Sequence, residues 1–127
     1  MYLRFESCVP NSKGRFPGVY ALANGLAHTG RLTETEYNQW KLTNACLDGA
    51  YTSPGIYKEM PDVGLTSWYI EDSAPHLLDS MSFYTDLLDR YRVPWREVRS
   101  SYPGEVVYRD DVQVVVQPFT YQADWAL

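Results

Sequence analysis

Glu105-Val106-Val107-Tyr108-Arg109-Asp110-Asp111-Val112-Gln113-Val114-Val115-Val116 is the stretch that decides the fold. Val106 and Tyr108 lead into the acidic pair Asp110-Asp111, and Val112, Val114 and Val116 alternate after it. That is the period-two pattern of two antiparallel strands, buried on one side and joined by a tight turn. Just upstream, Ser101-Tyr102-Pro103-Gly104 reads as a turn and Trp95 to Arg99 as a further strand. Two more strands stand apart in sequence. Tyr2-Leu3-Arg4-Phe5-Glu6 alternates so that Leu3 and Phe5 share one face and Arg4 and Glu6 the solvent face, and Thr66-Ser67-Trp68-Tyr69-Ile70 is a shorter candidate.

Helical signals lie between these strands. From Pro17 to His28, Val19, Leu22 and Leu26 recur on one stripe, and Gly30 suits a left-handed position after the last turn. Thr33-Glu34-Thr35-Glu36 predicts a capping box, opening a helix whose stripe is Tyr37, Trp40, Asn44 and Leu47 and whose end is Asp48-Gly49. Residues 52–64 hold Pro54, Gly55, Pro61 and Gly64, too many breakers for a regular element, and read as a long loop. Asp72 or Ser73 then caps a third helix with Pro75 in its first turn. Its buried stripe is Leu77, Met81, Tyr84, Leu88 and Tyr91, and its outward face includes Asp79, Asp86, Asp89 and Arg90, with Asp86 and Arg90 spaced as an i,i+4 ion pair. Helices segregated from hairpin-connected strands predict an α+β fold: a two-layer sandwich with a largely antiparallel sheet, about three helices and a C-terminal β-hairpin. A chain of 127 residues predicts one domain over 1–127, with an aromatic tail from about 118.

Charge narrows the partners. Eleven basic and sixteen acidic side chains give a formal charge of −5, which argues against nucleic acid as the main partner. Residues 65–127 hold five basic and ten acidic groups, and within them Glu71 to Asp89 is acidic and Arg90 to Arg99 basic. No apolar run reaches the roughly 18 residues of a membrane span, and the N-terminus lacks a signal-peptide layout, so a cytosolic location and no membrane association are expected. Cys8 and Cys46 are too few and too distant for a disulfide framework or a Cys-x-x-Cys knuckle and are expected to be reduced small hydrophobes. With two histidines beside them, no metal set is assigned, and no motif calls for a cofactor.

The opening Tyr2-Leu3-Arg4-Phe5, then Ala27-His28-Thr29-Gly30-Arg31-Leu32 before an acidic capped helix, Ser67-Trp68-Tyr69 with Ala74-Pro75-His76, and Pro103-Gly104-Glu105-Val106-Val107-Tyr108-Arg109-Asp110 with Gln113-Val114-Val115, carry a further signal. Over nearly the whole chain they resemble a family of small uncharacterised bacterial proteins. That family tends to read Ser-Trp-Phe-Lys before the third helix and a Glu-Asp pair in the hairpin, where this chain has Ile70 and Arg109-Asp110. The resemblance implies a single domain of bacterial or phage origin and transfers no catalytic residue.

Three constellations bear on function. His76, with Asp72 and Ser73 close in sequence, has the composition of a general-base site, but a helix N-terminus opposes the imidazolium and neighbours in sequence do not present triad geometry. This makes a hydrolase the weakest reading, and no catalytic residue is assigned. Arg92, Arg96 and Arg99 with Trp95 and Tyr102 have the composition of an anion or nucleotide patch, guanidinium forks for phosphate and rings for a base. The aromatic load, eleven Tyr, four Trp and four Phe, with Arg outnumbering Lys eight to three, matches interface hot spots. Tyr51, Tyr57 and Trp68 lie in or beside the long loop, and Phe119, Tyr121 and Trp125 follow the last strand, either as a docking surface or as a homodimer seam.

Two functional expectations follow. The first is a small acidic interaction protein that occludes a protein partner, as immunity proteins, antitoxins and inhibitors of defence systems do, using Asp79, Asp86 and Asp89 with Tyr57 and Trp68 as anchors. The second is a sequestering protein for a small anionic ligand, using Arg92, Trp95, Arg96, Arg99 and Tyr102.

Overall fold

Nine elements follow along the chain in a computed structural model that describes residues 1–50, 54–61, 64–73 and 75–119, with the side chains of 48–50 and 75–78 outside that description. They are β1 (Tyr2–Ser7), α1 (Val19–His28), α2 (Glu34–Ala50), α3 (Ile56–Glu59), β2 (Thr66–Ile70), α4 (Pro75–Arg90), β3 (Trp95–Ser100), β4 (Glu105–Arg109) and β5 (Gln113–Gln117). The fold is α+β. Its strands form a five-stranded sheet in the order β3-β1-β2-β5-β4, and the ladders β1·β2, β2·β5 and β4·β5 are antiparallel. Among the described residues no helix is long and apolar enough to cross a membrane.

The chain divides into two compact units. The first comprises Met1–Leu3, Pro54–Ala74 and Arg99–Leu127, and holds β2, β4, β5 and α3. Its centre is the hairpin. Asp110 closes the turn, its Oδ1 accepting the N–H groups of Val112 and Gln113, both at 2.9 Å. Val106 pairs with Val116 but Tyr108 with Val115, so Val107 is the extra residue of a β-bulge in β4. The expectation of one buried face fails for β5: Gln113, Val114, Val115 and Val116 are all buried. The reason is position, since β5 lies between β2 and β4 in the sheet interior and buries both of its faces.

The second unit comprises Arg4–Ser53 and Pro75–Val98 and carries α1, α2 and α4. Val19, Ala23, Leu26 and Ala27 of α1, Trp40 and Leu47 of α2, and Met81, Tyr84, Leu87 and Leu88 of α4 are its buried apolar residues, and α1 packs on α4. Two of the predicted helix boundaries form, while α2 runs through the predicted stop at Asp48-Gly49 to Ala50. After α1, Gly30 at φ 71° lets its own N–H bond Ala27 O at 3.2 Å while Arg31 N–H reaches Leu26 O at 3.1 Å, a Schellman closure. Before α2, Thr33 N–H donates to Glu36 Oε1 at 2.9 Å and Glu36 N–H to Thr33 Oγ1 at 3.2 Å.

Several expectations are corrected. The breaker-rich loop contains, among the described residues, the single helical turn α3, because Pro54 and Gly55 stand before that turn and Pro61 after it, where none interrupts it. Cys8 and Cys46 are free thiols but exposed, so neither packs as a small hydrophobe. Tyr37, placed on the buried stripe of α2, is exposed, while Trp40 and Leu47 of the same stripe are buried.

Gly104 takes φ 157° where the chain enters β4, and a Cβ there would fall on the carbonyl oxygen of Gln117 and within 3.0 Å of its carbonyl carbon. All of these atoms are backbone, so the neighbour has no side chain to swing aside. Gly104→Ala is expected to cost about 2–4 kcal/mol, read as a lower urea midpoint with an unchanged m-value; a midpoint within error of the parent chain would show that the β4 entry can relax.

Candidate functional site

Helix α4 sets the charge of the second unit. At 3.6 residues per turn, Asp79, Asp86 and Asp89 fall on one side of the helix, and all three are exposed as predicted. The basic residue of the last turn, Arg90, does not pair with Asp86. Its Nη1 donates instead to Glu36 Oε2 of α2 at 2.9 Å, a correction of the helical-neighbour pairing. The physical reason is that Glu36 is already fixed by its capping role and only 13% exposed, so it offers a pre-oriented carboxylate, while Asp86 points into water. Among the described residues, Asp79 and Asp86 carry no ion pair.

The arginines expected to bind an anion are largely engaged by carboxylates of the protein itself. Arg96 donates through Nε and Nη2 to Glu6 Oε2, at 3.1 and 2.7 Å, and its guanidinium lies 4.5 Å from the centre of the Phe16 ring. Glu6 Oε1 accepts Arg4 Nε at 3.0 Å, and Arg4 Nη2 also donates to Phe16 O at 3.0 Å. Glu6 is therefore buried between two guanidiniums, a correction of its expected place on a solvent face. In the first unit Arg99 pairs with Glu71 at 3.1 Å. Arg92 is exposed in a turn at φ 57°, and Tyr102 is exposed with its ring 5.0 Å from that of Phe119. Trp95 is half-buried: its Nε1–H donates to Asp89 Oδ1 at 2.8 Å, and its ring lies 6.2 Å from Phe5. The structure thus places Trp95 beside the acidic face.

The two expected anchors divide. Trp68 is buried on β2, its indole N–H donated to Thr66 Oγ1 at 3.2 Å, so it belongs to the core and presents no surface, which corrects its assignment as an anchor. Tyr57 on α3 is half-buried, its hydroxyl hydrogen-bonded to Ser67. Phe119 is exposed, with Val106 on β4 exposed in the same unit, while Tyr51, Tyr121, Trp125 and the side chain of His76 lie outside the described residues. His28 is exposed and meets Trp40 edge-on at 5.6 Å.

Two networks in the second unit escaped sequence reasoning. Asn24 Oδ1 accepts Trp40 Nε1–H at 2.9 Å and Asn44 Nδ2–H at 3.1 Å, and Asn44 Oδ1 accepts the Tyr84 hydroxyl at 2.6 Å. This chain of hydrogen bonds links α1, α2 and α4 through Asn24, Trp40, Asn44 and Tyr84, and connected polar groups of this kind help specify one packing. The second network is Glu36 with Thr33, Arg90 and Tyr91. The Tyr91 hydroxyl donates to Glu36 Oε1, and that bond, with the Thr33 amide, holds the Glu36 carboxyl below the ordinary carboxylate range while pushing the Tyr91 phenol up.

Comparison of the chain with protein-family models, with curated proteins and with solved structures finds no match.

Folding stabilises the ionised form of Glu36, so its contribution is present above the ordinary glutamate pKa and fades as the pH falls through the depressed value. Tyr91 has the opposite sign: its contribution is present below the ordinary tyrosine pKa and is lost as the pH rises through the raised one. Glu36→Gln is expected to flatten the acid limb of a Tm against pH profile, and an acid limb as steep as that of the parent chain would show that other carboxylates set it.

Proposed function

We propose that the chain is a small acidic cytosolic interaction protein, bacterial or phage in origin, that binds a basic surface of a protein partner and occludes it. This is the way immunity proteins, antitoxins and inhibitors of defence systems act. The observation that carries this reading is the partition of charge in the second half of the chain. Arg90, Arg96 and Arg99 are engaged by Glu36, Glu6 and Glu71, while Asp79 and Asp86 of α4 face water with no ion pair among the described residues. An uncompensated acidic helix face steers and registers a basic partner, such as the nucleic-acid-binding surface of a nuclease. The same pairing weighs against the small-anion reading, because Arg96 and Arg99 each already share a guanidinium with a carboxylate of the protein.

Charge reversal tests the proposal. A partner captured with the parent chain from its host is expected to associate several-fold more slowly with the Asp79→Lys, Asp86→Lys variant, and the steep fall of its on-rate with added salt is expected to flatten. An on-rate unchanged by the double reversal at low salt would overturn the assignment of this face.

A further inference from the structure

No further inference is drawn: the strongest candidate, the surface patch made by the exposed rings of Tyr102 and Phe119 where the chain enters β4 and leaves β5, carries nothing because nothing in the structure shows what covers it.

Discussion

A carboxylate taken out of water must be matched by positive charge, and Glu6 is matched twice, by Arg4 from its own strand and by Arg96 from β3. Removal of either guanidinium would leave a buried charge short of a partner, a far larger cost than the ~0.2–1 kcal/mol of an exposed ion pair. The pairing ties residues ninety positions apart in sequence and fixes Arg4, whose guanidinium then holds the carbonyl of Phe16 in the segment that leads to α1. It also commits Nε and Nη2 of Arg96, whose side chain stays 46% exposed, to a carboxylate of the protein.

The same principle recurs around α2 and α4. Glu36 is pre-oriented by its capping bonds to Thr33, and this orientation makes it a better partner for Arg90 and Tyr91 than any residue on α4 itself. A helix boundary device, worth about 1 kcal/mol in isolation, thereby joins two helices. The arginine of α4 is paired with α2, although still 55% exposed, while Asp79 and Asp86 remain in water without an ion pair among the described residues.

Local rules were legible in the sequence and distant pairings were not. The β4-β5 hairpin, the closure of α1 at Gly30, the capping box at Thr33 and the exposure of Asp79, Asp86 and Asp89 depend on residues within a few positions of each other, where turn chemistry and periodicity act directly. Glu6, Asn24 and Asn44 depend on Arg96, Trp40 and Tyr84: period-two patterning assigned Glu6 to solvent, and helical patterning put Asn44 on the buried stripe of α2 without showing its partners. Trp68 was misplaced for the complementary reason: it adjoins a breaker-rich loop, but it sits on a strand in the middle of the sheet. Trp95 changed sides because an indole N–H seeks an acceptor, and Asp89 is the one that the turn after α4 brings to it.

The two ways of meeting a charged partner at this surface differ in what each must displace. An anion approaching Arg96 meets a guanidinium that already gives Nε and Nη2 to a carboxylate only 10% exposed and also paired with Arg4. A cation approaching Asp79 or Asp86 displaces water only. Cation recognition by α4 therefore needs no rearrangement of the protein, whereas an anion at Arg96 would share its guanidinium with the buried carboxylate that ties β1 to β3.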